Sequence, residues 1–536
     1  MGTYATPDDQ FVDPIVVMTT LLANPDKITN LTAAVTVDAA PRPDYLKSLF
    51  LPGYGTKITR IAGNTGDTTA IGGKWASISR HHYSKNQPWN HDMTMICIEQ
   101  KNTSDTRSEP TRLILDGKSY LPIMANKFSS NNNPFLSASE FRWRPQYATQ
   151  AITWNESGQI LKLFDIVTRQ SLWNDAGAVG VHIPSNCVAS NSSNGRGFGL
   201  LSEGVLSDNG RYLVLCTNYL KPQQAPGKVD YFRVVDLEAK VVGPPNYFAM
   251  PYKTKDYGDI DFCSISPLGN YVIIKYSANK VPEYARCFTI NPTTLVATPR
   301  VFVSGDNPIL SGDNDGAIAD PRSAVDYNGW MACMSHGDFQ ISADPALTGT
   351  SVEVYVGGLR IYGSDISNCS SADKAALGRY IAQSMDKGKH VHISVGTTGL
   401  SGATETEDQH SSGRCYMAPG WMCATYTYHA TNKLSNEIVL WPVLANGAGI
   451  RCGTTRSDES IDYNAEAHAV PSPGCEKIMF ASNWQRNITG TAGPGTDIKS
   501  YVLAPTGPVG VSIDPIRITP VYSVTGPTPY TNAEQS

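Results

Sequence analysis

Residues 79–90 read Ser79-Arg80-His81-His82-Tyr83-Ser84-Lys85-Asn86-Gln87-Pro88-Trp89-Asn90. Between Arg80 and Lys85 stand two histidines, a tyrosine, an arginine and a lysine. Such side chains take up and release protons near neutral pH or above. In extended chain His81 and Tyr83 face one way and His82 the other, which favours His81 with Tyr83 as an acid/base pair. A second cluster, Glu140-Phe141-Arg142-Trp143-Arg144-Pro145, puts Arg142 and Arg144 on one face of a strand and Trp143 on the opposite face. An arginine at a cleft mouth grips a carboxylate through two parallel hydrogen bonds. A third is His410-Ser411-Ser412-Gly413-Arg414, followed by Ala418-Pro419-Gly420-Trp421, and a fourth is Glu466-Ala467-His468. Spaced i and i+2, Glu466 and His468 could line a cleft or begin a metal site, with Glu466 as ligand, but no third ligand stands beside them.

Each cluster has a plainer reading. The first would be a solvated polar loop with one histidine capping a strand, and the second an exposed, salt-bridged edge. His182, His336 and His429 stand singly and read as structural or surface residues. The chain has no GxSxG, HExxH or phosphate-binding loop, which removes the usual serine hydrolase, zincin and nucleotide readings.

The elements around these clusters are short β-rich runs between turns, with little helical periodicity. The best helix candidate is Ser371–Ile381, with Ser371 as its N-cap. The β-rich runs repeat as a unit. Glu203–Leu215 with Tyr231–Leu237 is one clear copy, Asp261–Ile274 with Arg286–Ile290 another, and Ala467–Phe480 a third. Tight Asn-Gly, Gly-Asn or Pro-Gly turns join adjacent strands in each. Weaker copies begin near Trp89, Phe141, Ser323 and Gly420. The units fall at about 56–125, 135–178, 200–246, 258–305, 320–366, 388–456 and 464–505. This spacing predicts an all-β, seven-bladed β-propeller in one domain over residues 1–536. Residues 1–55 cross to the last blade and close the ring, and 506–536 form a Pro/Thr-rich tail.

The formal net charge of −5, without a long basic run, counts against nucleic acid as partner. It still allows an acidic polymer as substrate, because net charge does not report the sign inside one cleft. No run of 18 apolar residues occurs, so no helical membrane span is expected. Six Asn-x-Ser/Thr sequons (Asn30, Asn102, Asn155, Asn191, Asn368, Asn487) and 11 scattered cysteines without CxxC favour a secreted, extracellular glycoprotein with a few disulfides and one free thiol. The amino terminus has no signal-peptide apolar core, as in a mature chain carrying a start methionine. A propeller leaves few sheet edges exposed, so a monomer is expected.

Taken together, Arg80-His81-His82-Tyr83-Ser84-Lys85, Gln87-Pro88-Trp89-Asn90, Glu140-Phe141-Arg142-Trp143, His410, Pro419-Gly420-Trp421, Glu466–Pro473 and Phe480-Ala481-Ser482-Asn483-Trp484 resemble the propeller-type polysaccharide lyases. That group includes the ulvan lyases and the fungal L-rhamnose-α-1,4-D-glucuronate lyases that trim gum arabic. The resemblance spans about residues 55–505, and the sequons and cysteines fit the fungal members best. It implies β-elimination at a uronic acid of a plant or algal polysaccharide. A base removes the C5 proton, a cation neutralises the adjacent carboxylate, and an acid protonates the departing O4. His81 is the first choice for the base, His82 and Tyr83 are the alternatives for the second role, and Arg142 or Arg144 neutralises the carboxylate. Arg80, Trp89, Asn90, Trp143, His410, Arg414 and His468 complete the substrate-binding set. The chemistry needs no cofactor, although some members of the group carry a structural Ca²⁺ or Zn²⁺.

Two other classes compete. A glycoside hydrolase needs two carboxylates flanking the bond, and Asp92, Glu140 and Glu466 are the few near these clusters. A non-catalytic glycan-binding propeller needs aromatic platforms, for which Trp75, Trp89, Trp143, Trp421 and Trp484 are candidates.

Overall fold

The computed structural model describes most of residues 39–299 and 408–506, together with short strands between 309 and 342. Among the described residues every regular element is a β-strand, apart from two single 3-10 turns at 134–136 and 463–465. None is a helix long and apolar enough to cross a membrane.

A hairpin of β1 (Ser48–Leu51) and β2 (Thr56–Arg60) precedes the first antiparallel meander, β3 (Ile78–Arg80), β4 (Met95–Lys101), β5 (Thr111–Asp116) and β6 (Pro122–Ala125). The second meander comprises β7 (Glu140–Trp143), β8 (Gln150–Asn155), β9 (Ile160–Asp165) and β10 (Gln170–Trp173), with β11 (Val181–His182) also on β9. The third holds β12 (Phe198–Gly199), β13 (Tyr212–Thr217), β14 (Asp230–Asp236) and β15 (Val241–Val242), with β16 (Asn246–Phe248) also on β14. The fourth is β17 (Ile260–Ile265), β18 (Tyr271–Tyr276), β19 (Tyr284–Ile290) and β20 (Ala297–Pro299). Two hairpins follow, β21 (Ile309–Leu310) with β22 (Ala317–Ile318) and β23 (Trp330–Cys333) with β24 (Phe339–Ser342). The next meander is β25 (Asp408–Ser412), β26 (Trp421–Tyr426), β27 (Glu437–Pro442) and β28 (Ile450–Thr454).

The closing sheet contains β29 (Val470–Pro471), β30 (Ile478–Ser482) and β31 (Ile498–Pro505). Its next strand is β2, which pairs antiparallel with β31 along its whole length. An early strand therefore completes the last sheet. Ahead of it, Arg42 reaches Asp497 at 2.7 Å and the Tyr501 hydroxyl at 3.0 Å. A short parallel pairing of β3 with β31 joins the first and last sheets.

The sheets pack face to face. In β4 and β5, Ile96, Ile98, Leu113 and Leu115 face a cluster shared with Met479 and Val502 of the closing sheet. The alternate residues Met95, Cys97 and Ile114 join Phe141, Trp143, Ala151 and Phe164 of the second sheet. Strict alternation thus serves two cores, which is why these strands are apolar along their length. Ile152, Trp154, Leu161 and Leu163 meet Leu213, Leu215 and Tyr231 of the third sheet. Phe232 and Phe288 join the third and fourth sheets edge to face at 5.0 Å. Ile438 and Ile450 pack on Ile478, Phe480 and Leu503 of the closing sheet.

The repeat units map onto this order. The Asp208-Asn209-Gly210 turn leads into β13, and β17, β18 and β19 fall where the second clear copy placed them. Gly210 adopts φ 67°, and a Cβ there would stand 2.1 Å from the Pro145 carbonyl oxygen, so this turn requires glycine. Of the 320–366 unit only β23 and β24 are described, and Ser371–Ile381 lies outside the described residues. Contrary to the disulfide expectation, Cys97, Cys216, Cys263, Cys415, Cys423, Cys452 and Cys475 are unbridged, buried thiols. Four of the eleven cysteines lie outside that set, so the full pairing expectation extends beyond it.

Candidate active site

The Ser79–Asn90 cluster follows the first strand of its meander: β3 ends at Arg80, and the loop then runs to β4. The loop is largely buried. His81 is 1% exposed, and its Nε2 lies 2.6 Å from the carbonyl oxygen of His468. A carbonyl only accepts, so Nε2 carries the proton and Nδ1 holds the lone pair, buried without a partner. Burial and the neighbouring Arg80 charge push its pKa down to about 3. His81 is therefore neutral at physiological pH and closed off from solvent.

His82 sits differently. Its side chain is one-third exposed (33%), and Nδ1 lies 3.1 Å from Glu99 Oε2. The carboxylate accepts the Nδ1 proton, which leaves Nε2 as the basic nitrogen. Antiparallel pairing of β3 with β4 sets Arg80 opposite Glu99 and so brings Glu99 to this loop. Arg112 on β5 holds the other carboxylate oxygen through Nε at 3.1 Å and Nη2 at 2.9 Å, while its Nη1 donates to the Leu136 carbonyl. Burial alone would raise the Glu99 pKa, but His82 and Arg112 outweigh it and hold the carboxyl well below its ordinary range. The result is a relay in which a buried guanidinium fixes a carboxylate and the carboxylate fixes an accessible imidazole.

Arg142 is buried on β7. Its Nη2 lies 3.1 Å from Glu140 Oε2, and its Nη1 donates to the Phe141 carbonyl. The charges of Glu140, Glu99, Arg112 and Arg414 act on it, so the second sheet and the loop after β25 address one region. Arg414 in that loop reaches Asp208 at 3.4 Å. Burial raises the Asp208 pKa to about 6, and Arg414 opposes the rise. On the closing sheet His468 Nε2 is 3.2 Å from Glu466 Oε2, and the His468 ring lies 4.1 Å from the Tyr83 ring. Arg80 donates to the Asn464 carbonyl and, through Nε at 3.1 Å, to the His81 carbonyl. Burial lowers the Arg80 pKa, and Glu466, Tyr463, Tyr83 and Glu99 counter that effect.

The fold therefore gathers Arg80, His81, His82, Tyr83, Arg142, Arg414, Glu466 and His468 from four sheets. The other predicted positions go elsewhere. Trp89 is fully buried between the first and closing sheets, and Trp143 is a core residue whose Nε1 donates to the Pro88 carbonyl at 2.9 Å. Neither is a stacking platform. Asn90 is buried and organises its own turn, donating to Asp92, Thr94 and the Ala148 carbonyl and accepting from the Met95 amide. Arg144 lies beyond the end of β7 and turns away from Arg142. It binds the Gly210 carbonyl at 2.8 Å, Gln150 at 2.6 Å and Glu238 at 2.7 Å, clamping the second sheet to the third. His410 lies on β25 opposite Thr425, and its side chain is outside the described residues. Among the described residues no third His, Cys, Asp or Glu joins Glu466 and His468 into a metal site.

Sequence reasoning missed Glu99, Arg112, Asp208 and Tyr463. The pairing of two short runs across a hairpin could have pointed to Glu99. Tyr463 is 68% exposed, and its charge acts on Arg80.

No family model matches this chain, and no curated protein matches it. Among solved structures it is similar to the Myceliophteria thermophila Cps50 (Swd1) β-propeller domain, at 9% identity and TM-score 0.31, over 80% of this chain and 97% of that one. It is also similar to the Dos1 propeller, at 10% identity and TM-score 0.24, over 76% of this chain and 65% of that one. A third is the Pyrococcus horikoshii acylaminoacyl peptidase, at 11% identity and TM-score 0.33, over 72% and 47%. Likenesses this distant bear on neither site nor activity.

Proposed function

We propose that this protein is a secreted polysaccharide lyase on a seven-bladed β-propeller, cleaving the bond to O4 of a uronic acid by β-elimination. L-rhamnose-α-1,4-D-glucuronate in arabinogalactan side chains is the preferred substrate. The observation that carries the reading is the Arg112–Glu99–His82 relay, which presents a basic Nε2 to solvent beside buried cations. His82 Nε2 takes the C5 proton, C4=C5 forms as C4–O4 breaks, and the imidazolium returns the proton to O4. Arg142 and Arg414 stabilise the charge that develops on the carboxylate. The cluster holds Arg80, Lys85, Arg112, Arg142 and Arg414 against Glu99, Glu140, Asp208 and Glu466, a balance that favours an anionic ligand. Burial of Trp75, Trp89, Trp143 and Trp484 weighs against a propeller that binds glycan by tryptophan stacking.

Asp208 supports a second reading. A buried carboxyl with a raised pKa suits the general acid of a glycoside hydrolase. Incubation with gum arabic, and in parallel with ulvan, separates the two. Elimination yields an unsaturated uronate that absorbs in the ultraviolet, and hydrolysis yields new reducing ends without that absorbance. Absorbance on gum arabic that His82→Ala abolishes supports the lyase. Absorbance on ulvan alone keeps the mechanism and changes the substrate, and no absorbance on either refutes the lyase.

A further inference from the structure

Outside the candidate site, a buried charge cluster lies where the early and late strands of the chain meet. Asp497 directly precedes β31, and its two carboxylate oxygens face cations from different segments. Oδ2 accepts from Arg42 Nη1 at 2.7 Å. Oδ1 lies 2.9 Å from Lys499 Nζ and accepts from the Thr65 hydroxyl at 2.6 Å. Lys499, on β31, is fully buried and also donates to the Ala76 carbonyl at 2.5 Å and the Thr65 hydroxyl at 3.1 Å. Arg42 donates to the Tyr501 hydroxyl at 3.0 Å as well. A third cation, Arg60 at the end of β2, is buried beside them and reaches only neutral acceptors, Asn64 at 2.8 Å and the Pro43 carbonyl at 3.4 Å. Its Nε is buried without a partner. The other acidic groups near it, Asp44 and Asp67, are exposed. Among the described residues, three cations thus share one buried carboxylate.

We propose that Asp497 is the counter-charge that keeps the seam between the first and last sheets closed, and that its protonation releases β2, β31 and residues 61–77 ahead of the other sheets. The guanidinium groups of Arg42 and Arg60 stay charged at any working pH. Burial lowers the Lys499 pKa to about 8, with Arg42 and Arg60 acting in the same direction, so Lys499 too is charged at neutral and acid pH. Once Asp497 is neutral, three cations face one another in a seam that solvent hardly reaches, where salt screens little. Burial alone would raise the Asp497 pKa, but Lys499, Thr65 and Arg42 outweigh it and hold it below its ordinary 3.8. Its contribution is therefore complete above pH 3.8 and is lost as pH falls through the lowered value. Release would also reach the candidate site. Ser79 lies opposite Lys499 in the β3–β31 pairing, its carbonyl accepts from the Ser500 hydroxyl at 3.1 Å, and the chain runs directly on into Arg80, His81 and His82.

Amide hydrogen exchange at pH 7, read peptide by peptide by mass, compares the wild type, Asp497→Asn and the double variant Asp497→Asn/Lys499→Met. Asp497→Asn should exchange at least about tenfold faster in β2, β31 and residues 61–77, with β13 and β14 unchanged. Removing one cation in the double variant should restore most of that protection. Pepsin digestion of the wild type between pH 4.5 and pH 2.5 needs no variant to fold, and its first cuts should fall in β2, β31 or residues 61–77. It decides alone if Asp497→Asn does not fold. Seam exchange at the wild-type rate in Asp497→Asn, no recovery in the double variant, or first wild-type cuts outside the seam each overturn the proposal. The result does not depend on the lyase reading, since it is read without substrate.

Discussion

Arg414 and Asp208 stand 206 residues apart in sequence, and their side chains meet at 3.4 Å in the interior. One comes from the loop after β25 and the other from the turn before β13, so the contact links sheets far apart along the chain. The pairing is long and leaves Asp208 poorly compensated, which is why burial wins and its pKa rises.

That rise has a definite sign. A carboxyl that binds its proton more tightly when folded costs nothing while protonated in both states. It destabilises increasingly as pH climbs from its ordinary value of 3.8 to about 6, and by a constant amount above that. Asp208→Asn removes this pH dependence. The stability of Asp208→Asn relative to wild type should rise between pH 4 and pH 7 by up to about 3 kcal/mol. Denaturant unfolding of both proteins across that range measures it. A constant difference would show that Asp208 does not titrate there.

The two histidines should separate by kinetics and stability. His82→Ala removes the basic nitrogen and should lower kcat by about 10²–10⁴-fold with little change in unfolding. His81→Ala removes a buried ring and its bond to the His468 carbonyl, at a cost of about 1–3 kcal/mol. Its folded fraction should keep kcat within tenfold. The reverse pattern would return the base to His81, with its Nδ1 reached only after the loop opens.

Arg142 and Arg144 form a second contrast. Arg142→Ala should abolish turnover. Arg144→Ala leaves the Gly210 carbonyl and two other partners behind, and should lower stability by about 2–4 kcal/mol while kcat/KM at low temperature stays near wild type. Equal loss of turnover in both would mean that Arg144 also reaches the substrate.

Strand order was legible because it rests on local spacing. The Asn209-Gly210 turn, the runs that became β17 and β18, and the β29–β30 turn all signal through neighbouring residues. Trp89 and Trp143 were not legible as core. Both faces of these sheets are covered, so apolar alternation cannot separate an inward residue from one lining a cleft. Glu99 and Asp208 were missed for a related reason. Nothing local distinguishes them among 48 acidic residues. Their character comes from Arg112, His82 and Arg414, which only strand pairing and sheet packing bring close. The choice between His81 and His82 likewise depends on contacts to Glu99 and to the His468 carbonyl rather than on their own spacing.

Gln87 offers the most direct test of how the loops are stitched. Its Nε2 donates to the Arg414 carbonyl at 2.8 Å and the Pro471 carbonyl at 2.9 Å, while its Oε1 accepts from the Trp89 amide at 3.1 Å. One amide thus joins the first sheet to two others and satisfies three buried groups. Gln87→Ala should cost about 2–4 kcal/mol, because two carbonyls lose their donor. Gln87→Glu should cost more at pH 7, since a carboxylate would face both carbonyls without a proton to offer. Its deficit should shrink as pH falls and the new carboxyl becomes a donor, whereas the Gln87→Ala deficit should not. Chemical denaturation of both variants at pH 5 and pH 8 decides the matter. If Gln87→Glu is no less stable than Gln87→Ala at the higher pH, the amide is not the donor that ties these loops together.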